Sequence, residues 1–189
     1  LAFPEVKFTL LIDGRVTLRT PGSGQLIDCV VEVYGAEVAR NMLEIKSLAT
    51  SPQVTGMAGS PTVSRSSRGY LSFFVNRRWV SSRLLARAAE EAYHGLLMQG
   101  KYPIAIINIS LSPQEVDVNI HPTKREVKFR NEHLVFSTVQ RALRRTLVEQ
   151  MPVPKIEEVA IAYESPAKPR QALLTSAPVS PASSLPWAS

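Results

Sequence analysis

The order of hydrophobic periods between residues 71 and 111 constrains this chain more than any other feature. "LSFFV" is an apolar run closed by the turn residues Asn76, Arg77 and Arg78, and so reads as a buried strand. Leu84, Leu85, Ala88, Ala89, Ala92 and Leu96 then recur at helical spacing behind Ser81 or Ser82, either of which suits an N-cap. "PIAIINISL" returns at once to strand character. A helical and an extended period joined within so few residues require a helix and a sheet that share one core.

The flanks extend the pattern. Phe8, Leu10 and Ile12 precede Asp13-Gly14, and Val16 and Leu18 follow it, which is an Asp-Gly hairpin signal. Leu26, Ile27, Val30, Val31 and Tyr34 predict a helix over about residues 24 to 34, strand material follows over 42–57, and residues 59–69 read as a polar loop. Val116, Val118 and Ile120 alternate with Asp117 and Asn119, the alternation stops at His121-Pro122-Thr123-Lys124, and Val127 and Phe129 resume it. A last amphipathic helix starts at Asn131 or Glu132, turns Leu134, Val135, Val139, Leu143 and Leu147 inward, and ends before Pro152. The expected fold is α+β, a two-layer sheet with its helices packed on one face.

Composition marks the boundary. Residues 152–189 hold seven of the 14 prolines and many Ser and Ala, so a domain over 1–151 and a disordered linker over 152–189 are expected. Residues 65–151 carry 14 Lys/Arg against seven Asp/Glu, while the remainder carries eight against nine. The net charge of +6 is therefore concentrated in the middle of the chain, as suits a polyanionic partner or a solvated face. No apolar run of 18 residues and no signal-peptide pattern occurs, which excludes a helical membrane span from the expectation and favours the cytoplasm. The single cysteine, Cys29, has no disulfide or zinc partner spacing and is expected to be a small buried hydrophobe.

Catalytic patterns are missing: there is no P-loop, GxGxxG or HExxH, and His94, His121 and His133 are not at ligand spacing. Within residues 1–151 Glu90-Glu91 is the only adjacent carboxylate pair and reads as a solvated helix face. Two binding features stand out. Arg83 falls in the first turn of the Ser-capped helix and Arg87 one turn later on the same face, with Arg77 and Arg78 in the turn before. Cations there oppose the helix macrodipole, and an arriving phosphate reverses the sign. The same residues could equally solvate a surface, or Arg87 could pair with Glu91. The second feature is the break at 121–124, where Pro122 stiffens the turn and Lys124 is the presented charge.

"VDVNIHPTKREVKF", "FFVNRRWV" and "VTGMAG" together resemble the MutL family of DNA mismatch repair proteins, over about residues 1–151. The resemblance implies the transducer domain of a GHKL ATPase, similar to domain 2 of a ribosomal protein. It implies that Lys124 reaches the γ-phosphate of ATP held with Mg by a preceding domain, and that Arg83, with Arg78, Arg77 and Arg87, faces DNA. Arg77 stands where many members carry glycine, and arginine resists the positive φ of an Asn-Gly type I′ turn. The family's ATP-binding motifs occur nowhere in the 189 residues, so no ATP hydrolysis by the chain alone is expected. The partners implied are the DNA phosphate backbone without sequence preference, other mismatch repair proteins, and a second copy in the full-length homodimer, acting at the bacterial nucleoid. A stand-alone nucleic-acid-binding module, the transducer of a type II topoisomerase or another GHKL protein, and a passive scaffold are the alternatives.

Overall fold

The structure, a computed structural model, describes residues 1–46, 50–117 and 126–150. Strands β1 (Phe8–Ile12) and β2 (Arg15–Thr20) form a separate antiparallel hairpin. Helices α1 (Leu26–Tyr34) and α2 (Ala36–Arg40) lead into β3 (Met42–Lys46), which is followed by β4 (Gln53–Gly59), β5 (Leu71–Val75), β6 (Arg78–Val80), α3 (Arg83–Ala92) and β7 (Ala105–Ser110). Two short strands, β8 (Val116–Asp117) and β9 (Lys128–Phe129), precede the long helix α4 (Glu132–Gln150). The main sheet has the order β3-β4-β7-β5-β6, parallel only between β5 and β7 and antiparallel elsewhere. The class is α+β, as the alternation of periods requires.

β7 shows how the sheet is covered. Ala105, Ile107 and Ile109 join Ile45, Val54, Phe73 and Val75 on one face, where Leu85, Ala88, Ala89 and Ala92 of α3 and Val135, Val139, Leu143 and Leu147 of α4 close over them. Each fully buried aliphatic side chain there contributes about 1.5–3 kcal/mol of transfer free energy. Ile104 and Ile106 point the other way, into a smaller cluster with Met42, Met57, Phe74, Val30, Val38 and Ala39. α3 and α4 thus cover one face as expected, whereas the first helix, expected with them, packs as α1 with α2 in a second layer on the opposite face. The reason is in β7 itself, whose apolar residues occupy both parities and need cover on both sides.

Close backbone approach fixes one glycine. Gly56 in β4 has φ +133°, and a Cβ there would lie 2.0 Å from the Ile106 carbonyl oxygen. Only glycine lets β4 and β7 pair at this point. Tyr93, at the end of α3, is buried and donates its hydroxyl to the Gly59 carbonyl at 2.6 Å. Burial pushes the Tyr93 phenol well above its usual range. It remains neutral and ties the end of α3 to the end of β4.

Candidate nucleic-acid interface

α3 begins where its cap allows. Ser82 is extended (φ −140°, ψ 120°) and accepts from the Leu85 N–H at 3.4 Å, so Ser82 is the cap and Arg83 the first helical residue. Burial of Leu85, Ala88, Ala89 and Ala92 sets the roll of the helix and leaves Arg83 and Arg87 exposed. α4 begins beside it, with Asn131 Oδ1 accepting from the Leu134 N–H at 3.0 Å. Between the two helix starts lies an open groove of about 790 Å³, lined by Arg83, Leu84, Arg87 and Glu91 from α3 and by Glu132, His133, Phe136 and Gln140 from α4.

The groove combines attraction and selectivity. Two guanidinium groups and the first turns of two helices favour an anion. Glu91 and Glu132 subtract from that attraction, and the half-buried Leu84 and Phe136 supply an apolar floor. Arg87 and Glu91 share the groove without forming an ion pair.

Most other arginines of the basic middle segment already have work inside the fold. Arg68 grips Glu90 at 2.5 and 3.1 Å and lies 5.0 Å from the Tyr102 ring centre; Arg144 donates to the Ala92 and His94 carbonyls, both at 3.2 Å, at the end of α3; Arg145 pairs with Glu149 at 2.6 Å. Arg78, Arg83 and Arg87 have no hydrogen-bonding or ionic partner for their side chains among the described residues. The Arg130 side chain, ahead of α4, is likewise without a partner among the described residues, so the localised charge narrows to a few uncommitted cations, three of them near the start of α3.

Arg77 is placed differently from its neighbours. Asn76 and Arg77 both take positive φ, 47° and 67°, so the turn has the geometry that arginine resists. Asn76 anchors it: its side chain donates to the Leu111 carbonyl at 2.9 Å and accepts from the Leu111 N–H at 3.0 Å. Arg77 Nε donates to the Ala2 carbonyl at 3.1 Å, its guanidinium pairs with Glu5, and its Cζ sits 4.2 Å from the Phe3 ring centre. The Glu5 carboxyl is held below the usual carboxylate range, first by its backbone hydrogen bond and then by Arg77.

Lys124 and the rest of the His121–Lys124 break lie outside the described residues. Their flanks are ordered as a ladder, with Val116 opposite Phe129 and Asp117 opposite Lys128. Phe129 is buried in the main core, which roots that ladder. The α4 side of the groove was not legible in the sequence: Glu132, His133, Phe136 and Gln140 reach Arg83 and Arg87 only through helix packing between segments some 50 residues apart.

Residues 30–148 match the family model described as "DNA mismatch repair protein, C-terminal domain". The chain is 40% identical over 157 residues to a DNA mismatch repair protein MutL of Halothermothrix orenii, covering 83% of this chain and 24% of that protein. It is 42% identical over 158 residues to a MutL of Desulforudis audaxviator, covering 84% and 28% respectively. The chain thus spans about a quarter of the length of these relatives. A solved structure described as the N terminal domain of a DNA repair protein superposes with a TM-score of 0.64 at 22% identity, over 79% of this chain and 50% of that one. That likeness shows the fold.

Proposed function

Because the chain belongs to the MutL family of DNA mismatch repair proteins, we propose that it acts in mismatch repair as the part that links nucleotide binding elsewhere in a longer protein to DNA binding at the start of α3. One observation carries the DNA half of this reading: Arg78, Arg83 and Arg87 are exposed and uncommitted, two of them on a groove between helix starts. Such contacts are to phosphates, so binding is independent of sequence and weakens steeply with salt. Three contacts correspond to a slope of about −2.7 in log K against log salt. The nucleotide half rests on the HPTK motif, with Lys124 stabilising the closed arrangement by meeting the terminal phosphate of ATP held with Mg outside this chain.

A salt series of duplex DNA binding tests the first half. Arg83→Glu should weaken binding and flatten the slope by about one unit, and an unchanged affinity and slope would remove Arg83 from the DNA surface. In the longer protein that includes the nucleotide-binding part, Lys124→Ala should depress ATP turnover, and normal turnover would overturn its role.

A further inference from the structure

The N-terminal segment is woven into the hairpin side of the molecule. Thr20 Oγ1 accepts from the Phe8 N–H at 3.1 Å and donates to the Val6 carbonyl at 3.3 Å, and the Gly24 N–H donates to the Pro4 carbonyl at 3.1 Å. Residues 1–7, the β1–β2 hairpin and the entry to α1 therefore hold one another. Between them and the β5–β6 hairpin lies a cleft of about 580 Å³, walled by Phe3, Val6, Phe8 and Leu18 on one side and by Phe74 and Trp79 on the other. Apolar groups line most of it, and Arg77 is its charged residue.

Arg77 spans that cleft. From a turn fixed by Asn76, it reaches the Ala2 carbonyl, the Phe3 ring and the Glu5 carboxylate, three different chemistries on four consecutive residues. Glycine is the residue that its φ of 67° favours, so an arginine there keeps a disfavoured backbone in exchange for its side-chain contacts. On the other side of the turn, β6 is three residues long and runs directly to Ser82 and Arg83. The turn stands between the N-terminal segment and the cations of α3.

We propose that Arg77 is a positioning residue: it ties residues 1–7 and the β1–β2 hairpin to the β5–β6 turn and so sets where the N-terminal side of the molecule sits relative to the start of α3. It is a strut and takes no part in the DNA surface. This rests on the function proposed above, in which the start of α3 answers to nucleotide binding elsewhere in a longer protein.

The test compares Arg77→Gly, Arg77→Lys and Glu5→Gln in the 189-residue chain, read by amide hydrogen exchange and by duplex DNA binding across salt. Arg77→Gly suits the turn backbone, and Glu5→Gln leaves that turn untouched, so misfolding of one variant does not remove the test. A strut predicts exchange at residues 2–8 faster by several-fold in each, no further gain in the Glu5→Gln/Arg77→Gly double variant, and a DNA salt slope equal to wild type. Unchanged exchange at residues 2–8 would overturn the proposal. So would tighter DNA binding in Glu5→Gln with weaker binding in Arg77→Gly, because Arg77 would then be a phosphate contact masked by Glu5. Arg83→Glu serves as the control: if it leaves DNA binding unchanged, the DNA reading falls while the exchange result stands.

Discussion

Two hairpins in this molecule turn on the same backbone and are supported in opposite ways. Asp13-Gly14 has φ 51° and 73°, and Asn76-Arg77 has 47° and 67°, in both cases as two-residue loops, between Ile12 and Arg15 and between Val75 and Arg78. At the first, nothing lies within 4 Å of where a Gly14 Cβ would be, and the facing residues Leu11 and Val16 are 57% and 61% exposed. At the second, Phe73, Val75 and Val80 are buried, Asn76 is bonded to Leu111 on both sides of its amide, and Arg77 is engaged three times over. Local residues choose the turn, and neighbours decide what depends on it. The first hairpin hangs outside the main sheet, while the second positions the start of α3.

The largest contrast should appear in the strands. Phe73→Ala removes a ring that is 4% exposed in the main cluster and should cost about 3–5 kcal/mol in urea unfolding. Leu11→Ala in the first hairpin, where the residue is 57% exposed, should stay within about 0.5 kcal/mol. Comparable costs would place β1–β2 in the same cooperative core and erase the distinction. Next comes the turn support. Asn76→Ala strands the Leu111 N–H and carbonyl, in a residue that is itself buried, and should cost about 1–3 kcal/mol. Asp13→Ala has no such groups to orphan and should cost less than half as much, so equal losses would mean that turn propensity, not anchoring, is what matters at Asn76.

Sequence and structure agree where a rule is local. The Asp13-Gly14 hairpin, the Ser-capped α3, the start of α4 and the α+β class follow from turn chemistry, capping and period, which neighbouring residues alone determine. What was not legible depends on tertiary partners. The run of apolar residues in β7 could not say which helices cover each parity, so the α1–α2 layer emerged only with the fold. Arg77, Arg78, Arg83 and Arg87 look alike in sequence, yet Glu5 and Phe3 engage one of them from more than 70 residues away. The HPTK break is legible as a motif, and the described residues stop at Asp117 and resume at Glu126.

Backbone strain separates the two turns by a smaller amount. Gly14→Ala places a Cβ in open space and retains only the positive-φ penalty, about 1 kcal/mol. That should lower the thermal midpoint by about 2–4 °C for a domain of this size. An unchanged midpoint would show that the hairpin tip frays in the wild type and contributes nothing to the cooperative unit.

The smallest expected effect is the pH dependence of the Arg77 tie. The folded-state pKa of Glu5 is lowered by its backbone hydrogen bond and by Arg77, so the unfolded chain takes up a proton at higher pH than the folded one. Whatever the pair contributes is therefore complete above the ordinary glutamate range and is lost as pH falls through the lowered value. Glu5→Gln, which cannot titrate, supplies the reference. The stability difference between wild type and Glu5→Gln should be flat from pH 7 to about pH 5 and close progressively below about pH 4.3. Both partners are about half exposed, at 51% and 49% of side-chain area, so added salt should shrink the same difference. A gap already absent at pH 7 would mean that the segment is held by the Phe3 stack and the Ala2 hydrogen bond without help from the charge of Glu5.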